Sequence, residues 1–259
     1  KFKFINNMRW RLIEQETYSA AMNMAIDHAI YESVANEREF PTIRFYKWQP
    51  SSISLGAYQN PKEINLNACK KHNIGIVRRM TGGRAVFHDK VDFTYSVIAP
   101  IRIFNYSIEN AYRQICSWII NALNELDVNA AIENKNDIVV DSKKISGNAA
   151  KLLHKGIYLQ HGTLIYDIDF DIMPQALNIS QNLVKENVTS TLQHKKISQE
   201  LVYDVLKNNF TKGKEFKIEE LSKFELMVAN DLAKTKYNTI MLPIETLLKS
   251  KGACYVERG

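Results

Sequence analysis

The sequence predicts a protein in which helices and strands mix along one chain, and three observations carry that expectation. Apolar residues recur at spacings of three and four in residues 19–35 and again in residues 106–126, the period of a helix buried along one stripe. Residues 93–99 alternate instead, with Phe93, Tyr95 and Val97 on one side and Thr94, Ser96 and Ile98 on the other, the period of a strand. Several shorter apolar runs are bounded by Gly, Pro and Asn, which read as further strands and turns.

Taken in order, residues 1–7 precede Met8 and are set aside as an N-terminal extension or expression remnant. Residues 8–259 read as a single domain with a helical C-terminal part, since no repeat or low-complexity linker divides them. The helix over 19–35 opens with Ser19 as its cap and carries Met22, Ala25, Ile26, Ala29, Ile30 and Val34 on its apolar stripe. Asn23 and Asp27 sit four apart on one side, where a solvated helix edge is the ordinary reading. Strands over 42–48 and 51–58 flank a turn containing Pro50, with Trp48 and Tyr58 expected in the core. A short helix over 65–72 leads to residues 77–89, V-R-R-M-T-G-G-R-A-V-F-H-D. Two apolar runs around Gly82-Gly83 form a hairpin signal. The same turn could bind an anion through its backbone N–H groups, with Arg78 and Arg79 as planar donors at its entrance. A tight hairpin with solvated charges explains it equally well.

The helix over 106–126 has Tyr112, Ile115, Cys116, Ile119, Leu123 and Leu126 on its stripe, which makes Cys116 a packing residue. Residues 133–150 read as two strands joined by a turn at Asp141-Ser142-Lys143, and a lysine such as Lys144 there reads as an edge charge. The apolar run over 158–166 is broken by Gln160-His161-Gly162-Thr163, in which His161 taken alone is a satisfied interior histidine. Beyond Asp171 the signal fades to helical patterns over 198–209 and 218–233, with Lys212-Gly213-Lys214 as a stop between them.

Hydrophobic content of 45% and charged content of 24% suit a soluble globular chain, and no apolar run approaches a membrane span. The three cysteines, Cys69, Cys116 and Cys254, lie far apart with no metal-like spacing, which favours a reducing, cytoplasmic setting over a disulfide framework. The net charge of +6 suggests acidic partners; the basic residues are dispersed and no nucleic-acid motif appears, and an acidic carrier protein or a nucleotide suits the same charge equally well, so no nucleic-acid partner is expected.

Residues 77–89 resemble the signature of the lipoate–protein ligase A family, Arg-Arg-x-x-Gly-Gly-Gly-x-Val-x-His-Asp. Arg78, Arg79, Gly82, Gly83, Val86, His88 and Asp89 match it. Arg84 stands where most ligases have a third glycine, and Gly-Gly-Arg-Ala-Val also resembles the octanoyl transferases of the same superfamily. A second segment resembles the family's Asn-Asp-(apolar)₃ followed by Lys-(apolar)-Ser-Gly-x-Ala, matched by Asn136, Asp137, Lys144, Ser146, Gly147 and Ala149. A third resembles its His-His-Gly-Thr strand through His161, Gly162 and Thr163, with Gln160 replacing the first histidine. Where ligases often write Gly-Arg-x-Gln-Asn, this chain has Gly56-Ala57-Tyr58-Gln59-Asn60. The resemblance spans residues 9–170.

What the resemblance implies is an α+β fold, mixed β-sheets flanked by helices, like the catalytic domain shared by biotin and lipoate protein ligases. It implies an enzyme that uses ATP and Mg²⁺ to convert lipoate to lipoyl-AMP, then transfers the lipoyl group to a lysine. Lys144 would be catalytic, stabilising charge in both half-reactions. Arg79, Thr81, Gly82, Gly83, His88, Lys144 and His161 would bind lipoate or lipoyl-AMP. Arg78, Asn136, Asp137, Ser146, Ala149 and Thr163 would face the nucleotide, with Asp137 on Mg²⁺. Asn23 and Asp27 would support the active-site sheet. The acceptors implied are apo lipoyl domains of 2-oxoacid dehydrogenase acyltransferase subunits or the glycine-cleavage H protein. A separate small accessory protein would replace the C-terminal domain of larger ligases, as in some archaeal forms.

Two rival readings share the scaffold. Octanoyl transfer from acyl carrier protein starts from a thioester and needs a cysteine nucleophile, which the octanoyl transferases carry in a short insertion before the lysine strand. Residues 133–137 have neither the cysteine nor the insertion, which favours the ligase. A catalytically silent binding protein would be expected to lack a key residue, yet Arg79, Asp137 and Lys144 are all present. The Gly-Arg-Gly-rich nucleotide motif of biotin ligases is absent.

Overall fold

Helix α1 (Ala20–Ala35) forms where the spacing predicts it, and its start is built locally. The Ser19 side chain accepts the Met22 N–H, satisfying one of the open donors of the first turn. The structure, a computed structural model, describes residues 9–133 and 137–238. Strand β1 (Trp10–Tyr18) precedes α1, and β2 (Thr42–Trp48), β3 (Ser52–Leu55), α2 (Leu66–Lys71), β4 (Gly75–Arg78), β5 (Val86–His88) and β6 (Phe93–Pro100) follow it. Next come α3 (Ile108–Glu125), β7 (Ala131–Glu133), β8 (Asp137–Val140), β9 (Lys143–Leu152) and β10 (Ile157–Leu164). The chain then runs through α4 (Ile172–Leu177), α5 (Gln181–Asn187), α6 (Thr191–His194), α7 (Gln199–Thr211), β11 (Phe216–Ile218) and α8 (Lys223–Leu232).

Eight strands form one mixed sheet in the order β11-β1-β2-β6-β10-β9-β8-β7, with β1 parallel to both of its neighbours. All eight residues of β6 are buried, so both faces of the sheet are covered. Phe93, Tyr95 and Val97 pack with Ile115 and Ile119 of α3 and with Leu206 and Phe210 of α7. On the opposite face Ile98 joins Ile26 and Ile30 of α1 and Ala229 of α8. Each such isoleucine, fully buried, contributes roughly 1.5–3 kcal/mol, and this is what holds α1 on the sheet. Thr94 and Ser96 share that second face, where Ser96 donates to Asp27 of α1 and Thr94 accepts from Trp48 Nε1 of β2.

Strand β1 has no counterpart in the sequence reading, because Leu12 and Ile13 are followed by Glu14-Gln15-Glu16 and the pairing shifts register between Ile13 and Glu16. Its anchor is long-range. Buried Arg11 donates to both carboxylate oxygens of buried Glu225, at 2.8 and 2.6 Å, and Glu225 also closes the capping box of α8 with Ser222. Ile218, read as the start of a helix, instead ends β11, which pairs with β1 before α8 begins.

The hairpin expected around Gly82-Gly83 does not form. β4 and β5 both pair with β3, in the order β4-β3-β5, so the residues between them cross over the end of β3. The crossing is close enough that a Cβ on Gly56 would stand 1.9 Å from the Gly83 carbonyl oxygen. Gly56→Ala should therefore force the two loops apart and destabilise the fold by about 1–3 kcal/mol. Urea denaturation checks this, and an unchanged midpoint would count against the crossing. Strand β3 stops at Leu55, which leaves Tyr58 83% exposed rather than in the core where it was expected. Trp48 is buried as expected. No described helix is long and apolar enough to cross a membrane.

Candidate active site

Asn23 and Asp27 are not a solvated helix edge; both are buried. Asp27 Oδ1 accepts from Arg44 Nη1 and from Ser96 Oγ, each at 2.9 Å, and Oδ2 accepts from the Tyr46 hydroxyl at 3.2 Å. Asn23 Oδ1 accepts from Arg44 Nη2 at 2.8 Å. Burial pushes the Asp27 carboxyl up, but His161 and Arg44 outweigh it and hold it below its ordinary value. Arg44, on β2, was invisible in the sequence because its partners lie 17 and 21 residues earlier on a different element.

His161 on β10 extends this network. Its Nδ1 faces Asp27 Oδ2 at 3.5 Å and its Nε2 faces Thr81 Oγ1 at 2.6 Å. Burial first, and the Arg79 charge after it, lower the imidazole below its ordinary value despite Asp27. The network is satisfied when Nδ1–H donates to the carboxylate and Nε2 accepts from the threonine hydroxyl. Thr81 Oγ1 in turn accepts from Arg79 Nε at 3.2 Å. The other two Arg79 nitrogens donate to Ser54 O (2.7 Å), Ser54 Oγ (3.2 Å), Gly82 O (2.6 Å) and Arg84 O (2.8 Å). All three nitrogens of the guanidinium are thus engaged, by Ser54 of β3 and by the loop between β4 and β5.

His88 on β5 stacks on Trp48 with ring centroids 4.2 Å apart. Its Nε2 meets Ser54 Oγ and its Nδ1 meets Thr163 Oγ1, both at 2.8 Å. Burial, with Arg79 and His161 nearby, holds it well below the usual histidine range. Both histidines of the motifs are buried, hydrogen-bonded walls whose charged form burial disfavours.

Lys144 reaches the same face through a backbone irregularity. Lys144 and Gly147 are three apart, which in a regular strand places them on opposite faces. The ladder with β8 pairs Asp137 with Gly147 and Ile138 with Ser146, then skips Ile145 and pairs Val139 with Lys144. This bulge turns Lys144 to the side of Gly147 and Asp137. Lys144 Nζ lies 2.7 Å from Asp137 Oδ1, as an ion pair and not an aligned hydrogen bond. A Cβ on Gly147 would stand 2.9 Å from Lys144 Cε, so the glycine leaves the lysine its path.

A cavity of about 120 Å³ opens between these elements. Of the residues expected at a site, Arg79, Gly83, His88, Lys144, Ala149, His161 and Thr163 line it. Thr81 and Gly82 lie behind, bound to His161 and Arg79. Arg78 turns away to the Gly56 and Gln59 carbonyls, at 2.7 and 2.8 Å, and Ser146 is turned into the core by the bulge. Asp137 stands beside Lys144, and Asn136 lies outside the described residues. Met24, Tyr46, Trp48 and Thr94 also line the cavity. For Tyr46 and Trp48 the only sequence signal was their place on β2, where a buried aromatic reads as core.

No described thiol reaches the cavity. Cys69 packs in the small cluster under β3 with Ile53 and Ile74. Cys116 lies on α3 across the sheet, and burial pushes it up to about 12. Cys254 is outside the described residues. Among those residues no three His, Cys, Asp or Glu side chains converge as a metal site. Asp137, a single carboxylate beside Lys144, does not by itself make a metal site.

A family model for the lipoyl protein ligase A/B catalytic domain matches residues 19–211. The chain belongs to that family. An octanoyltransferase LipM of Brevibacillus brevis is 32% identical to this member over 89% of this chain and 97% of its own length. A crystal structure of lipoate-protein ligase A bound with ATP superposes with a TM-score of 0.80 at 28% identity, covering 90% of this chain and 97% of that one. A bi-partite lipoate protein ligase, studied with its E2 lipoyl domain from Thermoplasma acidophilum, gives 0.76 at 26% identity, covering 90% and 94%. This member of the ligase A/B family is therefore an enzyme of the lipoate ligase and octanoyltransferase group, with that group's fold of mixed sheets flanked by helices.

Proposed function

We propose that the chain is an ATP-dependent lipoate–protein ligase, which forms lipoyl-AMP and passes the lipoyl group to a lysine of an apo lipoyl domain. The observation that carries this reading is a cavity lined by Lys144, whose ammonium has the Asp137 carboxylate beside it, and by no described thiol. A carboxylic acid needs an activated acyl group before an amine can attack, and a site without a nucleophile of its own suits activation by a nucleotide. In the first step a carboxylate oxygen of lipoate attacks the α-phosphorus and pyrophosphate leaves. In the second the acceptor amine attacks the acyl carbonyl, AMP leaves, and the amine loses a proton.

The placement of the side chains supports the following roles. The acyl chain lies along Met24, Tyr46 and Trp48, with His88 and His161 as buried walls. Lys144 meets the carbonyl and phosphate oxygens, where negative charge develops in both steps. Arg79 and the Gly83 backbone border the carboxylate, and Ala149 and Thr163 border the nucleotide. Mg²⁺, when bound to the nucleotide, supplies charge neutralisation, with Asp137 as its protein carboxylate.

The relative from Brevibacillus brevis favours a second reading, octanoyl transfer without ATP. Intact-mass analysis of an apo lipoyl domain separates the two. The chain would be incubated with lipoate and Mg²⁺, with and without ATP, with an octanoyl carrier in parallel, and with a candidate small accessory protein. ATP-dependent lipoyl addition is the expected result. Octanoyl addition from the carrier without ATP would overturn the ligase reading and direct attention to Cys254.

A further inference from the structure

The geometry points to a docking surface for an acidic acceptor domain on the cavity rim, formed by Tyr58, Lys151 and Arg84. This inference rests on the proposed transfer to a protein lysine. A lysine side chain is a four-carbon stem, so an amine that reaches the carbonyl beside Lys144 brings its own backbone down onto the rim. What stands there decides which proteins can approach.

Tyr58 is the most exposed large hydrophobic side chain among those described, at 83%, yet its loop is rigidly built. Arg78 donates to Gly56 O and Gln59 O, the Ala57 N–H donates to Thr81 O at 2.8 Å, and the Gly56 N–H donates to Gln59 Oε1 at 3.3 Å. A fixed backbone carrying an exposed aromatic costs little ordering entropy on binding, which is the character of an interface anchor. The loop lies against Gly83, so Tyr58 stands beside the crossing segment whose Arg84 is exposed and lines the cavity. From the other side Lys151 projects from β9 two residues beyond cavity-lining Ala149, hence on the same face. Its Nζ lies 5.9 Å from the centroid of the Tyr58 ring. The rim thus presents an aromatic plate beside Lys151, with exposed Arg84 on the neighbouring segment and Lys144 within. Carboxylates flanking the incoming lysine complement it, as does the chain's net charge of +6.

The test uses the full chain with Tyr58→Ser and Lys151→Glu, neither of which lines the cavity. Two quantities are measured: the Kd for an apo lipoyl domain by calorimetry, and the ATP-dependent lipoyl hydroxamate formed when hydroxylamine replaces the acceptor. Each variant should weaken binding about tenfold, and more at low salt for Lys151→Glu, with hydroxamate yield unchanged. An unchanged Kd overturns the docking surface. A parallel fall in hydroxamate also overturns it, because Tyr58 would then be serving the nucleotide. Absence of hydroxamate from the unsubstituted chain sinks the ligase reading instead, while the Kd comparison still reports on the rim.

Discussion

Lys144→Ala should lower acyl transfer by a factor on the order of a hundred to a thousand while leaving thermal stability nearly unchanged. The first part follows from removing a fixed positive charge at the point where oxygen charge develops. The second follows because Lys144 and Asp137 are both partly exposed, and such pairs contribute about 0–1 kcal/mol. Gly147→Ala provides an independent check on the same geometry. It keeps the lysine but places a methyl group 2.9 Å from its Cε, so the ammonium must shift. Transfer should fall in this variant as well, with the fold retained. Single-turnover transfer and a melting curve measure both, and full activity in Lys144→Ala would remove the lysine from the mechanism.

Asp27→Ala should destabilise the protein by roughly 3–5 kcal/mol, on the order of 10 °C in Tm for a chain of this size. Arg44 has no exposure and would be left as a buried, unbalanced cation, with the Ser96 and Tyr46 hydroxyls losing their acceptor. His161 would lose the carboxylate that orients its ring, and through Thr81 the effect would reach the Gly82-Gly83 loop. Combining Asp27→Leu with Arg44→Met should recover much of the stability, because it removes both charges together. A single Asp27→Ala variant within about 1 kcal/mol of the parent would show the ion pair to be dispensable.

What the sequence made legible was local. Helix α1 and its Ser19 cap, the two faces of β6 and the turn at Asp141 and Ser142 each rest on spacing or on residue types within a few positions. The motif residues were legible as chemistry but not as geometry. Gly82-Gly83 read as a hairpin because its flanking apolar runs are adjacent in sequence, whereas β3, which lies well before either run, pairs with both. Period-two reasoning separates Lys144 from Gly147, and only the skipped Ile145 brings them together. Tyr58 read as core because its strand was drawn three residues too long, and β1 went unseen because its buried Arg11 finds Glu225 at the far end of the chain.

The saturation of Arg79 has a kinetic meaning. With Ser54, Thr81, Gly82 and Arg84 already bonded to all three of its nitrogens, this arginine meets an arriving carboxylate with its hydrogen bonds committed. Any ligand that takes a hydrogen bond from it does so by exchange, and a carbonyl or hydroxyl must be released first. If ligand enters at that corner, the expected sign is a binding rate that levels off as ligand concentration rises, because the loop's release is a unimolecular event.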